Sequence, residues 1–214
     1  MPKLNPGPMV GFGRKITWLA IKTADRDLVA RTFPLAETME TDWETAVDEA
    51  YADLVLVTPP RPGQGGQWVL AAGDALAPIG GALWLSQALR TEVQLFATHR
   101  VSGSVEWARC LNGRLRRHFA KDDGVLRAWV GVPDEAELAL GMPPLQGLDS
   151  LAEVGRRDAA ALAAGRPNDA HQWLLIGEDD VLKLAAAWSL DPDALDDRRG
   201  PGAPLIGAPT WPID

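Results

Sequence analysis

Four arginines, Arg109, Arg114, Arg116 and Arg117, crowd one tight turn in the stretch EWARCLNGRLRRH (106–118), in a chain whose formal net charge is -8. A guanidinium presents a planar fork of donors suited to carboxylate and phosphate, so the cluster calls for a negative partner. Asn-Gly between two runs of β-formers is a strong short-range hairpin signal, because both residues accept the positive φ of a type I′ turn. With Asn112 and Gly113 as the loop, counting outward predicts Leu111 opposite Arg114, Cys110 opposite Leu115, Arg109 opposite Arg116, Ala108 opposite Arg117, Trp107 opposite His118 and Glu106 opposite Phe119. Alternation then divides the hairpin into two faces. One carries Glu106, Ala108, Cys110, Leu115, Arg117 and Phe119, with Glu106 and Arg117 as a diagonal pair. The other carries Val105, Trp107, Arg109, Leu111, Arg114, Arg116 and His118. Two arginines directly opposite each other destabilise a sheet unless an anion or a carboxylate lies between them. The candidate binding residues are therefore Trp107, Arg109, Arg114, Arg116 and His118, joined by His99 and Arg100 from the preceding strand. Either one of the chain's own acidic segments, such as 37–53, supplies the negative charge, or an anionic ligand or acidic partner surface does.

Other chemistry is sparse. The three histidines, His99, His118 and His171, share no ligand spacing such as i, i+4, and no metal site is predicted. DPDALDD (191–197) starts like a calcium loop, but Asp196 stands where glycine is needed and Gly202 where the bidentate glutamate belongs. GFGRKIT (11–17) and PGQGG (62–66) are Gly-rich without a phosphate-loop spacing, and the first runs into a strand, not a helix. No serine sits in a GxSxG elbow. Cys110 and His118 fall on opposite faces of the predicted hairpin, which argues against a thiol–imidazole dyad. No catalytic residue and no cofactor are expected, and the balance leans away from an enzyme.

The elements that must position these residues follow from periodicity and punctuation. KITWLAIKT (15–23), LVLVT (54–58), QWVLAAG (67–73), EVQLFATH (92–99), SVEWARCL, RLRRHFA and VLRAWVGV (125–132) read as strands. Asp25 caps a short helix over 26–33. Thr41 and Glu44 stand in capping-box spacing ahead of the amphipathic run of Trp43, Ala46, Val47, Ala50 and Tyr51. ALWLSQALR is helical after Gly80–Gly81, Asp134 caps EAELAL, and Asp149 caps a helix toward Gly165. HQWLLI (171–176) is ambiguous between strand and helix, and Asp179 or Asp180 caps VLKLAAAWSL up to Asp191–Pro192. The expectation is an α+β fold: a mainly antiparallel sheet, helices on one face, a helical C-terminal segment over about 134–198 and an irregular tail over 199–214, in a single domain spanning 1–214. Of the nine tryptophans, Trp18, Trp68, Trp84, Trp129 and Trp173 sit in apolar runs and are expected in the core, whereas Trp43, Trp107 and Trp188 could show an edge at the surface.

With 46% hydrophobic and 23% charged residues, the 214-residue chain is composed like an ordinary globular protein. No run reaches the roughly 18 apolar residues a membrane helix needs, so no membrane partner is expected. The N-terminus lacks the apolar core of a signal peptide, and the single cysteine fits a reducing compartment, which together predict a cytoplasmic protein. The acidic balance disfavours nucleic acid. Carboxylates gather in two runs, 37–53 and 178–197, on either side of the arginines, a segregation that fits solvated helix faces first, and otherwise internal pairing or the steering of a basic partner.

Three stretches, GFGRKITWLAIKT, LFATHRVSGSVEWARCLNGRLRRHFA and DDVLKLAAAWSLDP, together resemble a set of uncharacterised bacterial cytosolic proteins, some of which look like immunity proteins of polymorphic toxin systems. The resemblance covers most of the chain and implies a small soluble protein of interaction type. With the segregated charge and the lack of a complete catalytic constellation, the leading expectation is a non-enzymatic interaction module, such as an immunity protein that binds and neutralises a toxin encoded nearby. The rival expectation is a small-molecule-binding protein or enzyme that uses the Arg/Trp/His face on a phosphate or carboxylate.

Overall fold

A computed structural model describes residues 4–76, 79–144, 151–166, 175–196 and 198–210. Its centre is β1 (Thr17–Lys22), where Trp18, Leu19, Ala20 and Ile21 are all fully buried. A strand that is apolar at every position needs cover on both sides, and this requirement shapes the molecule. The further strands are β2 (Leu35–Glu40), β3 (Val55–Val57), β4 (Arg61–Gly63), β5 (Gly66–Ala72), β6 (Glu92–His99), β7 (Ser104–Leu111), β8 (Arg114–Asp122), β9 (Val125–Val130) and β10 (Leu205–Pro209). They form one 10-stranded sheet in the order β2-β10-β3-β5-β1-β6-β7-β8-β9, with β4 paired to β5. The pairing is antiparallel throughout. The helices among the described residues are α1 (Arg26–Thr32), α2 (Trp43–Ala50), α3 (Ile79–Ala88), α4 (Glu135–Ala139), α5 (Leu151–Ala163) and α6 (Glu178–Trp188).

The fold class is the expected one, an α+β protein on a mainly antiparallel sheet. The helices, however, cover both faces and not one. α2 and α6 bury Trp43, Val47, Val181 and Trp188 against the face that holds Trp18, Phe96 and Trp107. α1 and α3 bury Val29, Ala82 and Leu85 against the face that holds Leu19, Leu95 and Cys110. The expected irregular tail contains β10, an interior strand that pairs with both β2 and β3. Gly and Pro in APLIGAP hide it, yet Ile206 at its centre is buried in the core.

Local chemistry fixes most boundaries. Asp25 caps α1 by accepting from the Leu28 N–H at 2.8 Å, as expected. α2 is capped by Asp42, which accepts from the Thr45 N–H at 2.9 Å, and not by Thr41, which is buried. α6 starts one turn earlier than expected, with Gly177 at its N-cap position and its N–H donating to the Asp180 carboxylate at 3.1 Å. Asp134 and Glu137 close a reciprocal capping box on α4. Asp149 and residues 171–174, including Trp173, lie outside the described residues, as does Trp211.

Candidate functional site

The β7–β8 turn forms as its sequence dictates: Asn112 and Gly113 take φ of 51° and 75°, and Leu111 faces Arg114. One pair further on, the register breaks. Cys110 faces Leu115, but Arg109 faces Arg117, so Arg116 is an extra, bulged residue in β8. Every pairing beyond it moves by one: Ala108 faces His118, Trp107 faces Phe119 and Glu106 faces Ala120. The predicted Arg109–Arg116 and Trp107–His118 pairs do not exist, and Arg117 and His118 exchange faces. The neighbouring strand accommodates the bulge through Gly131, at φ 75°, where a Cβ would stand 2.3 Å from the Arg116 carbonyl oxygen.

Two of the four hairpin arginines are satisfied internally. Arg109 donates through Nε and Nη2 to Glu92 at 2.9 and 2.8 Å, reaches Asp134 at 3.3 Å, and lies over the Trp188 ring at 5.1 Å. Arg117 is almost fully buried and donates through Nε to Glu137 at 2.7 Å, through Nη1 to the Val130 carbonyl at 2.9 Å, and stacks over Trp129. Glu137, wholly buried, also accepts from the Trp107 indole at 2.7 Å and from the Asp134 N–H at 3.1 Å. Burial pushes the Glu137 carboxyl up while Arg117 pulls it down, and burial lowers Arg117 in turn. Trp107 is therefore no ligand-facing residue but a buried member of this clamp, which fastens α4 to the hairpin. Trp43 is likewise buried, while Trp84, expected in the core, is 45% exposed. Arg114, Arg116 and Arg100 are exposed at separate places along the hairpin and the β6–β7 turn. The acidic partners come from β6 and α4, not from 37–53.

The shift of register builds something on the other face. Cross-strand partners place Trp18, Phe96, Trp107, Phe119 and Trp129 in one row across five strands, all buried, with Trp107 and Phe119 stacked at 4.3 Å. On the opposite face the neighbouring row reads Thr17, Ala97, Glu106, Ala120 and Ala128, all half-buried. Small side chains at four of five positions leave a trough beyond the reach of α3. Glu106 stands in its middle, and the His118 Nε2 lies 2.8 Å from the Glu106 carboxylate because the bulge has turned His118 to the face that Glu106 already occupies. The Glu106–Arg117 pair expected from the unbulged register is replaced by this one.

Around the trough opens a pocket of about 350 Å³. His99, Ser104, Asp122, Asp74 and Arg127 stand on its walls. A polar chain runs along one wall: His99 Nδ1 lies 2.9 Å from the Ser102 hydroxyl, Ser102 and Ser104 hydroxyls are 2.6 Å apart, and the Ser104 hydroxyl donates to Asp122. Arg127 reaches the same Asp122 at 3.6 Å; it is the unpaired residue of a second irregularity, between β8 and β9. Burial pushes the Asp74 carboxyl up, with the nearby His99 acting against it, and burial lowers the Lys121 amine. Titratable groups perturbed by a pocket wall, beside imidazoles and hydroxyls, mark a candidate binding or proton-transfer site.

Of the seven predicted site residues, His99 lines this pocket and His118 reaches it only through its contact with Glu106, whereas Trp107 belongs to the clamp and Arg109 pairs with Glu92 and Asp134. Glu106, Ser104 and Asp122 were not anticipated as site residues. Their signal was the coincidence of small residues at matched strand positions, which becomes visible only in the true register. Cys110 and His118 share a face after all, but burial pushes the Cys110 thiol up to about 11, far from a reactive thiolate. Among the described residues no group of three metal-ligating side chains occurs, and no helix is long and apolar enough to cross a membrane. No protein-family model, curated protein or solved structure matches the chain.

The clamp makes a measurable claim. Glu137→Ala or Arg117→Ala strands a buried charge and is expected to cost about 3–5 kcal/mol, whereas replacing both with Leu and Met costs far less than the sum. Urea denaturation of the four proteins measures this, and additive losses would contradict a coupled pair.

Proposed function

We propose that the protein binds a small polar organic molecule in the pocket above Glu106. The observation that carries this reading is the half-buried row of Thr17, Ala97, Ala120 and Ala128 around a carboxylate–imidazole pair, directly behind a fully buried row of five aromatics. A sheet that packs Trp and Phe on one side and leaves alanines beside water on the other has space for a guest. Ala97 and Ala120 supply an apolar bed, and Glu106, oriented by His118, supplies with His99 the few polar groups such sites use. The carboxylate holds the imidazole in one orientation, an arrangement that can also accept or deliver a proton. This relocates the small-molecule reading expected from the sequence: the histidines stay, the arginines go.

A second reading is favoured by a separate observation. Of the two acidic runs, 178–197 folds onto the chain's own cations: Arg14 meets Asp179 at 2.8 Å and Asp193 at 3.3 Å, and Lys183 meets Asp180 at 3.0 Å. In 37–53, Glu37 on β2, Glu44 and Asp48 on α2 and Asp53 just beyond it remain exposed, and Glu40 pairs with Arg26 at 3.0 Å. Such a face suits a basic protein surface, which is the form a toxin-neutralising role would take.

Two experiments test these readings. Ala120→Leu fills the trough and is expected to change stability by only about 1 kcal/mol. In a ligand-observed and amide-shift NMR screen of small amines, acids and alcohols, binding should perturb Ala97, Glu106 and His118 in the native protein and vanish in this variant. Shifts elsewhere, or shifts indifferent to the leucine, would refute the pocket. For the second reading, a complex with the product of an adjacent gene should weaken steeply with salt and on Glu44→Lys/Asp48→Lys; a salt-insensitive complex would refute it.

A further inference from the structure

The charges around the trough narrow what it can hold. This inference rests on the pocket reading above and names its ligand class. Among the described residues, the ion-pair partner of Glu106 is an imidazole, His118, and not a lysine or arginine. The side chains beside it across the row, Ala97 and Ala120, bring neither charge nor donor. On the walls, the Ser104 hydroxyl is spent on Asp122 and the His99 Nδ1 faces Ser102. Asp74 adds a second carboxylate at the rim, in surroundings that penalise its ionised form.

The pocket's cations are directed elsewhere or stand at its mouth. Arg127 lies against Asp122. Lys121 sits opposite Val105, so its side chain starts from the other face of the sheet, where Asp180 of α6 acts on it. Lys15 is exposed at the rim. A half-buried carboxylate in an alanine-floored recess, short of cationic side chains, is best satisfied by a donor that the ligand itself carries. We infer that the pocket takes a small organic amine, its ammonium group seated on Glu106 and its carbon chain on Ala97 and Ala120, with any anionic group turned outward toward Lys15.

The test uses three probes of one shape: n-butylammonium chloride, sodium butyrate and n-butanol, at matched ionic strength and pH 7.5. Amide shifts at Ala97, Glu106 and Ala120 report occupancy, and a thermal melt reports stabilisation. The amine should bind saturably and in preference to the other two. Glu106→Gln keeps the shape and a hydrogen-bond partner for His118, and should weaken the amine about 10-fold or more, the scale of one charge-assisted contact. A folded Glu106→Gln protein that holds the amine equally well overturns the inference. Butyrate or butanol binding as tightly as the amine, with the site still blocked by Ala120→Leu, overturns the amine class and leaves the pocket standing. Failure of all three to shift the trough residues overturns both.

Discussion

One additional residue in β8 sets the character of this molecule. Because Arg116 is extruded from the ladder, Arg117 turns toward α4 and His118 turns toward Glu106. In an unbulged hairpin the same residues would set Arg109 against Arg116 and a histidine into the aromatic row. A bulge usually costs ladder hydrogen bonds and bends the strand, and it persists where the rest of the structure holds it. Here it is held from two sides. Glu137 of α4 accepts the Arg117 Nε–H, and the Gly131 backbone approaches the bulged carbonyl more closely than any side-chain-bearing residue could.

The two faces of the sheet then divide the work. The row of Trp18, Phe96, Trp107, Phe119 and Trp129 is buried, with Trp18 stacked on Phe96, Trp107 on Phe119 and Phe119 edge-on to Trp129, and aromatic burial of this kind is a main source of stability in a domain. Within it, the Trp107 indole N–H meets the same carboxylate that holds Arg117, so the aromatic row and the clamp are one assembly. The opposite row gives up that packing at Ala97, Ala120 and Ala128. Side chains that contribute little to the core are free to shape a recess, and Glu106 can stay half-buried there beside an imidazole and water.

How far the sequence discloses this differs by residue. The turn at Asn112–Gly113 is legible because two residues alone dictate it, and the caps at Asp25 and Asp134 are legible because each acts within one helical turn. The bulge is not: Arg116 carries no glycine or proline signature, and its supports, Glu137 and Gly131, lie outside the hairpin. Buried Glu137 hides in a run, DEAEL, that reads as a solvated helix start. β10 is hidden by its glycine and prolines, since its partners are over a hundred residues away, and β2 by being an edge strand with exposed glutamates and no alternation to read. His99 and His118 stand out in the sequence by chemical type, but their neighbours follow from register alone. The arginines announced a negative partner correctly and misled about its source, because nothing local to the hairpin reveals Glu92 and Asp134.

Everything functional therefore rests on which residue faces which across β7 and β8. Solution NMR measures this directly, through cross-strand contacts between backbone α- and amide protons of the two strands. The account predicts contacts that place His118 opposite Ala108 and Phe119 opposite Trp107. Contacts that place His118 opposite Trp107 and Arg116 opposite Arg109 would contradict it, and would dissolve both the clamp and the pocket.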